Sequence, residues 1–150
     1  LDKDPKKAAH MLCDRHVVKM CLEGCQMLAT VMHRYGIPCT YKPTHYNHPC
    51  TLWAGESKQN FIWLWTHTME LFEEYTRRYG KVHKSQQFMN EYICPSNMPS
   101  VGLTPFAQAM PDQYKNEDAV TAYRNYYIGE KSSFSKWKNG NIPEWFKTMF

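Results

Sequence analysis

The sequence predicts an all-α, single-domain fold over residues 1–150: two long helices, a proline-rich connection, and a C-terminal helix plus an aromatic tail. Three observations predict it. Two long segments repeat apolar residues at helical spacing, each opened by a proline near its first position and closed at a glycine. No stretch alternates convincingly with the period of a strand. Along the first segment, His16, Lys19, Glu23, Gln26, Thr30 and His33 follow one another at +3, +4, +3, +4, +3, which puts all six on one helix face.

The first helix opens at Asp4-Pro5, with Asp as N-cap and Pro at the first helical position. Met11, Val18, Leu22, Cys25, Ala29 and Met32 carry its apolar positions, and it runs to about Tyr35 before Gly36. Residues 37–47 form a loop with two prolines. The second helix starts at His48-Pro49, carries Leu52, Phe61, Leu64, Trp65, Leu71, Phe72 and Tyr75, and ends before Gly80. Arg77 and Arg78 in its last turn have the sign the helix dipole favours there. Residues 81–93 read as a shorter helix. Residues 94–111 hold four prolines, yet are too aromatic and apolar for a free linker. Asn116-Glu117-Asp118 caps a last helix bearing Val120, Tyr123, Tyr127 and Phe134, and the tail mixes Lys136, Trp137, Lys138 and Trp145.

Composition narrows the class. An aromatic content of 15% is that of a packed domain and excludes a disordered chain. A net charge of +4 permits a nucleic-acid partner without demanding one. No segment approaches the roughly 18 apolar residues of a membrane span, and no signal peptide is visible, so a cytoplasmic location is expected. Cys13, Cys21 and Cys25 share the first helix with core residues, which is how a reducing compartment uses cysteine, as a small hydrophobe. The chain begins at Leu1 without Met, so residues are expected ahead of it.

Four constellations offer chemistry. Glu23 lies on the polar face between apolar neighbours, where burial raises a carboxyl pKa and a cation such as Lys19 or His16 lowers it. That tunability suits a general acid/base or the stabiliser of a cationic intermediate. A plain Lys19–Glu23 pair one turn apart is the bland alternative. The run His45-Tyr46-Asn47-His48-Pro49-Cys50 offers candidate zinc ligands, a helix cap, or imidazoles at a helix N-terminus facing an anion. Arg77, Arg78, Lys81, His83 and Lys84 are five cationic or titratable groups within eight residues, a candidate phosphate patch. The Lys136-Trp137-Lys138 tail with Trp145 has the composition of a base-stacking surface.

The residues also carry a resemblance. Asp14-Arg15-His16, Glu23 nine residues after Asp14, and then Gln26 resemble the first helix of the pyrimidine-dimer DNA glycosylases, the phage endonuclease V family and its bacterial relatives. Asn47-His48-Pro49, Trp53 and the stretch from Glu74 to Gly80 extend the likeness, and Glu130-Lys131 and Pro143-Glu144-Trp145 echo the family's C-terminal motifs. The whole chain also looks like uncharacterised tailed-phage proteins, which would put it in the host cytoplasm.

The resemblance implies an all-α repair fold that needs no cofactor and acts on DNA. An N-terminal α-amine would attack C1′ of the damaged nucleotide, and β-elimination from the resulting Schiff base would nick the strand. Glu23 would stabilise the cationic sugar and move protons, and His16 would contact the substrate near the scission site. Arg15, Lys19, Gln26, His45, Asn47, His48, Arg77, Arg78, Lys81 and Lys84 complete the candidate substrate contacts. Two family arginines correspond here to Leu22 and Gln26. That difference keeps two alternatives in view: a non-catalytic nucleic-acid-binding or virion-associated protein of the same fold, and a metal enzyme built from His16, Glu23, His45, His48 and Cys50.

Overall fold

The computed structural model describes residues 1–138 and 141–148, and among these there are helices, turns and extended connections but no strand. Residues 139–140 of the tail and residues 149–150 lie outside the described residues.

The first predicted helix is two. Helix α1 spans Pro5–Met11 and α2 spans Asp14–Arg34, separated by an extended Leu12 (φ −67°, ψ 139°). Asp4 caps α1 as expected, accepting from the Lys6 and Lys7 amides. Neither Pro nor Gly causes the break. Partners from far along the chain take the backbone groups an unbroken helix would have used. Trp137 Nε1 donates to the Met11 carbonyl (2.9 Å), Cys13 N donates to the Tyr127 hydroxyl (3.3 Å), and Asp14 N donates to the Lys136 carbonyl (2.7 Å). Long-range hydrogen bonds here override local propensity.

The second predicted helix is also two, α3 over Pro49–Ala54 and α4 over Lys58–Tyr79. Ser57 caps α4 by accepting from Asn60 N (3.0 Å). Buried Asn60 fills the break: its Nδ2 donates to the Trp53 carbonyl and to Thr104 Oγ1, and its Oδ1 accepts from Thr104 N. The proline-rich segment 94–111 is therefore an ordered strap across the start of α4, with Lys58 N donating to the Pro99 carbonyl and Phe106 stacked on Trp53 at 5.1 Å. Gly80 ends α4 with φ 69°, where a side chain would be strained.

The helix expected over 81–93 is a 3₁₀ helix over Lys84–Glu91, capped by the His83 ring. Asp118 caps α5, Ala119–Tyr126, which passes into a π turn over Tyr127–Lys131. A short α6 covers Glu144–Lys147.

The core lies between α2 and α4. Val17, Cys21, Cys25, Leu28 and Met32 of α2 meet Phe61, Leu64, Leu71 and Phe72 of α4, closed by Trp53, Met89, Tyr92 and Met98. Gly24 marks the closest approach: a Cβ there would stand 2.5 Å from Thr68 Oγ1. All six cysteines are free thiols, and burial pushes Cys21 and Cys25 up to about 12, so they stay protonated. The tail is no stacking platform, because Trp137 is buried with Cys13 and Tyr127 in a second apolar cluster, against which Trp145 and Phe146 pack. No helix among the described residues is long and apolar enough to cross a membrane.

Candidate active site

The polar face of α2 exists, and it is divided. Its C-terminal half fastens the loop over residues 37–47. Gln26 Oε1 accepts from His45 Nε2 (2.9 Å), Thr30 Oγ1 accepts from Thr44 N (2.9 Å), and His33 Nε2 donates to the Tyr41 carbonyl (3.2 Å). Arg34 adds a hydrogen bond to the Tyr46 carbonyl. Each bond satisfies a loop polar group that solvent would otherwise hold, and together they fix the chain where His45 takes a positive φ of 54°.

The N-terminal half of the face stays open. Glu23 is 27% exposed, and Lys19 Nζ stands 3.7 Å from its Oε2. Val18 and Leu22 flank the pair and are exposed at 40% and 38%, so the carboxylate sits beside bare apolar surface. The fastened loop brings its imidazoles to this place. The His45 and His48 rings are 6.5 Å apart, and the charges of His45, Glu23 and Lys19 all act on His48. Burial, with His45 and Lys19, pulls the His48 pKa down against the opposing pull of Glu23. His48 Nδ1 accepts from Cys50 N (3.1 Å) and caps α3. Its proton therefore sits on Nε2, an outward donor. Asn47 is exposed beside it.

One turn before Lys19, His16 is enclosed by aromatic edges, Tyr127 at 5.1 Å and Phe134 at 5.6 Å between ring centroids. Its Nδ1 meets the Tyr127 hydroxyl at 2.5 Å. Burial and the nearby charges of Lys131, Lys19 and Arg15 pull its pKa down to about 4, so the ring is neutral at neutral pH. Arg15 is exposed with its guanidinium 4.2 Å over the Phe134 ring. The π turn and the residues after it thus supply Tyr127, Lys131 and Phe134 to the site. The sequence predicts Tyr127 and Phe134 on the last helix and holds no signal that links them to His16, more than a hundred positions away. Lys131 carried a signal only through the Glu130-Lys131 echo.

The basic run does not join this group. Arg78, whose side chain is 0% exposed, donates Nε to Glu74 Oε1 (2.8 Å), NH1 to Asp14 Oδ1 (3.0 Å) and NH2 to the His10 carbonyl (3.0 Å), which ties α4 to α1 and α2. Arg77 pairs with the same Glu74. Arg78 is thereby removed from the candidate phosphate contacts, since its side chain is fully enclosed and bonded to three acceptors within the fold. Lys81 and Lys84 are exposed. Lys84 precedes Ser85, whose carbonyl receives Cys25 Sγ, and Cys25 is about 200° around α2 from Glu23. His48 spends Nδ1 on capping α3, which leaves its Nε2–H as the group that can face an anion. His45, His48, Cys50, His16 and Glu23 do not assemble a metal site: among the described residues no three His, Cys, Asp or Glu side chains converge to hold an ion. Cys50 instead lies against the Tyr123 hydroxyl.

This arrangement suits a carboxylate that handles protons or stabilises a positive charge formed beside it. No curated protein and no solved structure matches the chain. The family model described as pyrimidine dimer DNA glycosylase matches residues 1–87, a span that takes in α1 to α4, the open half of the polar face and the loop fastened to it. With 87 of its 150 residues matched, the chain belongs to the pyrimidine dimer DNA glycosylase family, whose substrate is DNA.

Proposed function

We propose that the chain is a DNA glycosylase with AP lyase activity that works through an amine Schiff base, with Glu23 as its proton-handling carboxylate. The observation that carries this is Glu23 itself: half-buried, beside bare Val18 and Leu22, with Lys19 at 3.7 Å. A carboxylate so placed loses part of its hydration and interacts strongly with a positive charge formed next to it.

In this mechanism an amine lone pair attacks C1′ while the bond from C1′ to the pyrimidine nitrogen breaks, and the base leaves with that electron pair. Protonation of O4′ opens the sugar to an imine. Removal of a C2′ proton then expels the 3′-phosphate and nicks the strand. Glu23 lowers the energy of the cationic sugar and carries the protons. The amine is the protein's N-terminal α-amine, or Lys19. His16 contacts the nucleotide being cut. Arg15 engages a neighbouring phosphate, as does Lys19 where the α-amine is the nucleophile, and His48 and Asn47 present donors from the loop that Gln26 and His45 hold in place.

Borohydride trapping on duplexes bearing an abasic site or a thymine dimer tests this directly. The expected result is a covalent adduct, lost either when the terminal amine is blocked or in Lys19→Gln. Glu23→Gln is expected to reduce cleavage by about 10²–10⁴-fold with fold and DNA binding retained. No adduct on either duplex would favour the binding-only alternative, and full activity in Glu23→Gln would remove the role assigned to the carboxylate.

A further inference from the structure

The phenol oxygen of Tyr127 is a junction. His16 Nδ1 lies 2.5 Å from it, Cys13 N 3.3 Å and Cys13 Sγ 3.5 Å. A backbone N–H can only donate, so the phenol accepts from Cys13 N and has a single proton to give. Imidazole nitrogen is both the nearer and the stronger acceptor, since thiol sulfur accepts weakly. The phenol proton therefore points at Nδ1, and the ring's own proton lies on Nε2. Burial raises the phenol pKa, so Tyr127 stays a donor. The tyrosine is 4% exposed and Cys13 is 0% exposed, so water does not compete for the junction. The edges of Tyr127 and Phe134 fix the ring plane. The residue that does this opens the π turn at Tyr127–Lys131, and such turns recur at functional sites.

We propose that Tyr127 is a positioning residue that locks His16 with its proton on Nε2, so that His16 meets the deoxyribose-phosphate as a hydrogen-bond donor to oxygen and not as a cation or a proton acceptor. This rests on the reading that His16 faces the nucleotide. The three cations around the ring, Lys131, Lys19 and Arg15, supply positive charge already, and the donor supplies direction.

Two measurements test it separately from that reading. Long-range proton–nitrogen NMR on the His16 ring of the wild-type protein reports the tautomer without any need for activity. The expected spectrum has Nδ1 unprotonated and Nε2 protonated at neutral pH, and Tyr127→Phe brings in the second tautomer. A wild-type ring protonated on Nδ1, or charged at neutral pH, would overturn the proposal. In kinetics on a dimer-bearing duplex, His16→Gln keeps an N–H donor near the Nε2 position, whereas His16→Ala has none. Gln is expected to stay within about tenfold of wild type in kcat, and Ala to fall well below Gln. Tyr127→Phe is expected to lower kcat about threefold to tenfold, the loss of one oriented hydrogen bond, with little change in KM. Gln as inactive as Ala would reject the donor role. An Ala variant at full turnover, with the expected NMR spectrum, would locate the failure in the placement of His16 at the substrate and not in the lock.

Discussion

Arg78→Ala separates a buried clamp from a DNA contact. The arginine side chain is 0% exposed and its three bonds go to Glu74, Asp14 and the His10 carbonyl, on three different helices. Removing it leaves Glu74, 1% exposed, with Arg77 as its remaining arginine, while Asp14 keeps its bonds from Lys138 N. Breaking a buried pair by removing one partner costs about 3–5 kcal/mol. Because Arg77 still neutralises Glu74, the lower end applies, about 3 kcal/mol. For a domain of this size that is about 6–12 °C in melting temperature, read by thermal unfolding followed by circular dichroism. The companion measurement is DNA affinity against salt concentration. A lost phosphate contact lowers the salt slope by about one. Arg78→Ala is expected to leave the slope unchanged and Lys19→Ala to lower it. A variant of normal stability with a reduced slope would refute the clamp and restore Arg78 to the DNA interface.

Acid and packing give two more expectations. Burial holds both His16 and His67 down to about 4 in the fold, and His48 and His83 shift the same way. As pH falls, the unfolded chain takes these protons first, so stability is full above about 6.5 and drains from there towards 4. Urea midpoints should drop between pH 7 and pH 5, and a flat profile would contradict the burial of these rings. Gly24→Ala puts a Cβ 2.5 Å from Thr68 Oγ1, an overpacking cost of about 1–3 kcal/mol. Adding Thr68→Ala should recover most of it in denaturant unfolding, and additive losses would show that the two helices do not meet there.

Much of the fold was legible because helix ends are local chemistry. Asp4, Pro49, Gly80 and Asp118 sit where caps and stops belong, and each acts within a few residues of itself. The two breaks were not legible. Leu12 follows a good helical pattern, and its conformation depends on Trp137, Lys136 and Tyr127. The break before Ser57 depends on a strap some 45 residues on, reached through Asn60. The candidate site divides the same way. Spacing alone put His16, Lys19, Glu23 and Gln26 on one face. It did not reveal that Gln26, Thr30 and His33 would be taken by a loop, or that a tyrosine from the other end of the chain would reach His16. Arg78 looked like surface charge because two of its three acceptors, Asp14 and the His10 carbonyl, lie 64 and 68 positions away.

The hinge between α1 and α2 has a consequence for how the molecule is made. Residues 5–34 taken alone have the local preference of one continuous rod, and the bonds that bend it come from α4 and from residues 127–137. A chain emerging from the ribosome would hold that rod until α4, and then the segment carrying Tyr127 and Trp137, docks against it. Contacts this distant in sequence are slow to form. The same distant contacts carry Tyr127 to His16, so the bend in the rod and the junction at the phenol form together.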